Sequence, residues 1–218
     1  MQTLIQGNPD CGDLMIDLGP GEKVIAESGA MSRMSDGLEM KSRLMGGFFR
    51  ALIRKLFGGQ SFFVTHYTAP NGGHVAFSPN QPGTILQRDL LETSLFLTAG
   101  SFLACGPDVE VRPRWGGFKA LFSGEGAFFL ECSGRGPLFF SSYGAVIEKE
   151  IEGTFTVDTG HVVGWEPTLD YSIGGMGGIK STLFSGEGLV LKFKGTGKIY
   201  LQTRYLSGLA GWLSPFCR

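Results

Sequence analysis

Near the C-terminal end of the chain, Leu189, Leu191 and Phe193 alternate with Val190, Lys192 and Lys194. Successive side chains of a strand point to opposite faces, so this alternation predicts a half-buried strand. Short apolar runs of the same kind recur along most of the length, separated by polar strings rich in glycine. Three of them read as a strand, a glycine turn and a second strand. The first is Phe62 to Tyr67, turn Pro70-Asn71-Gly72-Gly73, then His74 to Phe77. The second is Ala127 to Glu131, turn Ser133-Gly134-Arg135-Gly136, then Leu138 to Ser142. The third is Leu189 to Lys194, turn Gly195-Thr196-Gly197, then Lys198 to Thr203. Apolar runs joined by short glycine loops predict hairpins. Two segments depart from this pattern. Phe48, Leu52 and Leu56 repeat at i+4, as do Phe49, Ile53 and Phe57, with Arg50, Arg54 and Lys55 on the other side. That spacing predicts an amphipathic helix over 48–57. The run Leu206-Ser207-Gly208-Leu209-Ala210-Gly211-Trp212-Leu213 is apolar and stops before Pro215, which predicts a short terminal helix.

The hairpins belong to a larger internal repeat. Gly116-Gly117-Phe118-Lys119-Ala120-Leu121-Phe122-Ser123-Gly124-Glu125-Gly126 returns, with one added residue, as Gly177-Gly178-Ile179-Lys180-Ser181-Thr182-Leu183-Phe184-Ser185-Gly186-Glu187-Gly188. A looser copy begins at Gly46-Gly47. A second landmark recurs as Glu27-Ser28-Gly29, Thr98-Ala99-Gly100 and Asp158-Thr159-Gly160. Three units of ~60–70 residues follow, each too poor in core to stand alone, so stacking them would close a shared core. We expect one domain over 1–218, with units at about 14–80, 84–142 and 145–205 and an apolar tail at 206–218.

Composition agrees with an all-β protein. Glycine makes up 35 of 218 residues, about 16% against a usual ~7%. Charged residues are 18% and apolar residues 42%, a balance that excludes disorder. A net charge of -1 offers no field for nucleic-acid backbones. No apolar stretch reaches the ~18 residues of a membrane span. The N-terminal residues lack the pattern of a secretory signal, so the expected compartment is the cytoplasm. Cys11, Cys105, Cys132 and Cys217 fit no zinc spacing and are expected to be free thiols there.

Several strings imitate catalytic motifs. Asp158-Thr159-Gly160 resembles an aspartic-protease loop, but such a site needs two loops of this kind and the sister loops are Glu27-Ser28-Gly29 and Thr98-Ala99-Gly100. Asp158 is expected instead to cap its own turn, accepting from the backbone two residues on. Gly174 to Thr182 resembles a phosphate loop, yet Ile179 separates the last glycine from Lys180. His66, His74 and His161 have no metal-ligand spacing. Glu148, Glu150 and Glu152, with Lys149, read as a solvated strand face. No catalytic residue, metal or cofactor is expected.

Taken together, Glu27-Ser28-Gly29-Ala30-Met31, Gly124 to Leu130, Val157 to Val163 and Gly177 to Gly188 resemble the mitochondrial-biogenesis family named for altered inheritance of mitochondria. That family is similar in fold to the tryptophan RNA-binding attenuation protein. The resemblance spans nearly the whole chain. It implies antiparallel strands wound as a double-stranded β-helix in three pseudo-equivalent units, with one or two short helices. No catalytic motif can be carried over, and the attenuation protein's basic RNA-binding repeat has no counterpart here. Eukaryotic relatives are linked to inner-membrane organisation. One departure stands out: Gly58-Gly59-Gln60-Ser61 replaces the S-G-E-G turn of the other two units.

The expectation is a non-enzymatic, homo-oligomeric β-scaffold that acts through protein or membrane-surface contacts. Arg50, Arg54 and Lys55 on one segment and Leu209, Trp212 and Leu213 on the other are the expected contact residues. The alternative is a small-ligand or nucleic-acid binding module, argued from fold analogy alone.

Overall fold

The computed structural model describes residues 1–44, 63–115, 128–174 and 189–217. The predicted helix over 48–57, with Arg50, Arg54 and Lys55, lies outside them, as does the phosphate-loop look-alike beyond Gly174. The described chain is mostly β, as expected, and its sheets are antiparallel.

The first strands show why. In β2 (Asp13–Leu18), Leu14, Ile16 and Leu18 are buried and alternate with Asp13, Met15 and Asp17. In β3 (Lys23–Glu27), Val24 and Ala26 take the inner face. Period-two burial leaves each strand one apolar side and commits it to a sheet. Around them run β1 (Gln2–Gln6), β4 (Met31–Met34), β5 (Glu39–Leu44), β6 (Phe63–Thr68) and β7 (Gly73–Phe77). A second segment comprises β8 (Ile85–Thr98), β9 (Phe102–Cys105), β10 (Val109–Trp115) and β11 (Phe128–Ser141). A third comprises β12 (Val146–Asp158), β13 (Val162–Trp165), β14 (Leu169–Gly174) and β15 (Val190–Gln202). The chain then forms one α-helix, α1 (Leu206–Leu213), which matches the predicted tail helix.

The second and third segments pair in the same way. β8 and β11 run from Phe129↔Thr98 to Ser141↔Ile85, and β12 and β15 from Val190↔Asp158 to Gln202↔Val146. The one difference is Glu92, skipped between Gly134↔Thr93 and Arg135↔Leu91, with φ of 57°. It is a bulge, one extra residue on one strand. β10 and β9 then add to the two halves of β11, as β14 and β13 add to the two halves of β15.

The three predicted hairpins are corrected by this topology. Ser133-Gly134-Arg135-Gly136 lies inside the continuous strand β11, and Gly195-Thr196-Gly197 inside β15. β6 and β7 do not pair with each other: β6 lies between β3 and β5, and β7 between β2 and β4. The glycines mark bends rather than reversals. Gly195 has φ of 131°, and a Cβ there would lie 2.9 Å from the Thr168 carbonyl oxygen. Only glycine admits both that conformation and that approach.

The described strands form one sheet of four, β1-β2-β7-β4, and one of eleven. Successive segments also meet along a seam of linkers. The Gly12 amide donates to the Gly83 carbonyl (2.8 Å), Gly144 to Pro82 (2.9 Å) and Thr84 to Gly144 (3.2 Å). Gly83 and Gly144 form a parallel bridge, and a Cβ on Gly12 would lie 2.6 Å from Asn8 Oδ1. Three buried clusters fill the interior. The aromatic one centres on Trp165, with ring centroids of Phe129, Tyr171, Phe96 and Phe193 at 4.7, 5.2, 5.5 and 5.6 Å. Its indole Nε1 is buried without a hydrogen-bond partner.

Candidate functional site

Helix α1 is the most unusual surface feature. It has eight residues, none buried, and no side-chain cap at its N-terminus. Leu206, Leu209, Trp212 and Leu213 are 52, 37, 67 and 38% exposed, and Phe216 just beyond is 72% exposed. A helix this short is marginal in water, and Gly208 and Gly211 weaken it further. Large apolar side chains clustered on one exposed element are the signature of a surface that meets something else. Leu209, Trp212 and Leu213, the tail residues expected to make contacts, lie on this one exposed helix.

The base of the helix is anchored by Tyr205. Its ring stacks edge-on against His161 at 4.9 Å, beside the turn Thr159–His161. That turn is held on both sides. Asp158 Oδ1 accepts from the Gly160 amide at 2.9 Å, the capping role read from the sequence. His161 Nδ1 donates to the Gln202 carbonyl at 2.7 Å, and Gln202 Nε2 donates to the Gly160 carbonyl at 2.8 Å. Between helix and body lies a cavity of about 440 Å³ lined by Tyr143, His161, Arg204, Tyr205, Leu209 and Trp212 among others.

A second constellation was not legible in the sequence. Arg88 on β8 donates to Glu166 Oε1 at 2.6 Å and to the Tyr200 hydroxyl at 2.7 Å. The Lys198 amide donates to Glu166 Oε2 at 3.0 Å. Burial alone would raise the Glu166 carboxyl, but the hydrogen bonds from Arg88 and the Lys198 amide and the two nearby positive charges hold it below its ordinary value. The pair joins the second segment to the third and separates two clefts, of about 560 and 380 Å³. The larger is lined by hydroxyls of Thr93, Ser94, Ser133 and Thr168 beside Glu92.

The remaining candidates are dispersed. Glu148, Lys149, Glu150 and Glu152 are exposed along β12, with Lys198 Nζ 3.1 Å from Glu148. No cluster of potential metal ligands forms among the described residues. All four cysteines are free. Cys105 and Cys132 are buried, and burial pushes the Cys105 thiol up to about 12. Glu27 is half-buried, its carboxyl makes no hydrogen bond or ion pair among the described residues, and desolvation raises that carboxyl to about 7. No described helix is long and apolar enough to cross a membrane.

Residues 4–204 match the family described as Mitochondrial biogenesis AIM24. The chain belongs to that family. A relative, an uncharacterized protein of Streptococcus pyogenes serotype M6, is 32% identical over 210 residues, covering 92% of this chain and 85% of the relative. An X-ray structure of a Streptococcus pyogenes protein is similar throughout, with a TM-score of 0.84, 30% identity and 99% of each chain covered.

Proposed function

We propose that this AIM24-family chain is a non-enzymatic β-scaffold of more than one copy that acts by contact, with α1 as its contact element. The carrying observation is the exposure of Leu206, Leu209, Trp212 and Leu213 on an uncapped helix that buries none of its residues, with Phe216 exposed just beyond it. A membrane surface suits this element better than a protein groove. Residues 203–218 contain Arg204 and Arg218 and no acidic residue, and Trp and Phe are interfacial anchors. The finer fold reading, three units of one double-stranded β-helix, is supported by the shared pairing of β8–β11 and β12–β15. Flotation with phosphatidylglycerol vesicles tests the function. The wild type should float and the double variant Trp212→Ser, Phe216→Ser should not. A wild type that stays in the dense fraction removes the membrane and leaves a protein partner.

The small-ligand reading is favoured by one observation, the hydroxyl-lined cleft beside Arg88. A ligand there should raise the melting temperature of the wild type and not that of Arg88→Met.

A further inference from the structure

The joint between segments is built twice by the same rule. β9 adds to β3 through Ile25↔Cys105 and Ala26↔Ala104. β13 adds to β8 through Phe96↔Trp165 and Leu97↔Gly164. In both cases the last residues but one of a strand, just ahead of Glu27 or Thr98, meet the third and fourth residues of a short strand. Asp158 is the third residue of that series. The same rule applied there would join Thr156 and Val157 of β12 to Arg33 and Met34 of β4. That joint is not made. Among the described residues β12 pairs only with β15, and β4 pairs only with β7, in the other sheet. No buried cluster contains residues of both β4 and β12. Among the described residues two complementary strand edges are therefore left unpaired, one on the first segment and one on the third.

The side chains along β12 set its two halves apart. Glu148, Lys149, Glu150 and Glu152 stand exposed on the N-terminal half. Charges of this kind are what protect an edge against pairing. From Gly153 to Val157 there is no charge, and Thr154 and Thr156 are exposed. This is the half that the rule would pair. An uncharged, β-prone edge left open is a template for another strand.

We propose that β12 residues 154–157 of one copy pair with β4 of a second copy, head to tail, repeating between chains the joint that β3·β9 and β8·β13 make within one. The inference rests on the contact-scaffold reading, but it uses a surface other than α1. A head-to-tail joint is heterologous: an open assembly keeps one free edge of each kind at its ends, and either closes into a ring or grows as a filament.

Sedimentation velocity on the full chain tests it. The wild type should sediment as species heavier than the 23.5 kDa chain. Thr156→Lys places a charge on the β12 edge, and Ser32→Lys places one on the β4 edge. Each variant should be a monomer with the wild-type circular dichroism spectrum. Mixed one to one, they should form a dimer, because one retains an intact β12 and the other an intact β4. Thr154→Lys serves as a second block should Thr156→Lys unfold. Removing 206–218 should abolish flotation and leave the assembly intact, which separates this joint from the α1 contact. A monomeric wild type, unchanged assembly of Thr156→Lys, or a mixture that stays monomeric overturns the proposal.

Discussion

The first segment and the third carry the same kinds of pairing and part at one place. In the third, β12 and β15 run unbroken for thirteen residues each, bending at Gly153 and Gly195. In the first, the corresponding path breaks. Gly19-Pro20-Gly21-Glu22 separates β2 from β3, and Ala69-Pro70-Asn71-Gly72 separates β6 from β7. The broken chains remain linked, with the Gly21 amide donating to Ala69 at 2.7 Å and the Ala69 amide to Glu22 at 3.0 Å. Proline has no amide hydrogen to donate to a ladder, so two prolines at one level end it. The outer halves then form the four-stranded sheet, while the inner halves stay in the large one. A glycine bend keeps one sheet, and a proline break makes two.

The sharpest way to break the comparison is in the core. Trp165 and Met34 each close the short strand that follows their turn, but Trp165 is fully buried and Met34 only partly. Trp165→Ala should lower stability by about 3–5 kcal/mol, measured by urea denaturation. Met34→Ala should cost about 1–2 kcal/mol. Equal losses would mean that the two segments share their packing as well as their pairing.

Backbone substitutions come next. Gly195→Ala meets both strain and the Thr168 oxygen, and should cost about 2–3 kcal/mol. At Gly21, φ is 79° but no atom lies within 4 Å of a Cβ. Gly21→Ala should therefore cost only the conformational strain, about 1 kcal/mol. If the two variants melt alike, close approach is not what selects glycine at the bend.

Two titrations give smaller effects of opposite sign. The folded Glu166 carboxyl lies below its ordinary value, so its stabilisation is full above that value and lost as pH falls through the lowered one. Arg88→Met should remove this acid-side slope along with about 1–2 kcal/mol at neutral pH. The folded Glu27 carboxyl is raised to about 7 by burial, so its effect runs the other way. Stability should fall as pH rises from about 4.5 through 7. Glu27→Gln should flatten that decline by about 1 kcal/mol, seen in melting temperatures across the range. The first segment is again the odd one out. At the matching positions Asp158 caps Gly160, and Thr98 Oγ1 donates to the Val163 carbonyl at 3.2 Å.

The alternation of Leu191 and Phe193 with Lys192 and Lys194 placed most of the faces of β15, because period-two burial leaves a direct trace in the sequence, but Val190, read with the lysines, is buried. The cap at Asp158 was equally readable, since it is local, whereas the exposure of the tail depends on what packs against it and left no trace. The hairpins were misread for a definite reason. A glycine that turns a chain back and a glycine that lets a neighbouring strand approach carry the same letter, and only Asp108 and Thr168 across the gap distinguish them. The Arg88–Glu166 pair had no trace at all, because its partners stand 78 positions apart and meet only after the segments dock. The open edge of β12 is visible only once its two sister strands are seen to be covered.

The glycine seam constrains how this protein can be re-engineered. Along Gly12, Gly83 and Gly144 the linkers touch backbone to backbone, so neither an inserted tag nor a new pair of chain ends fits there. The connection between β4 and β5 is different, since a Cβ on Gly37 would meet nothing within 4 Å. A permuted chain opened at Gly37, with Met1 and Arg218 joined by a flexible linker, keeps the seam intact and has its entry point on the outside of the molecule.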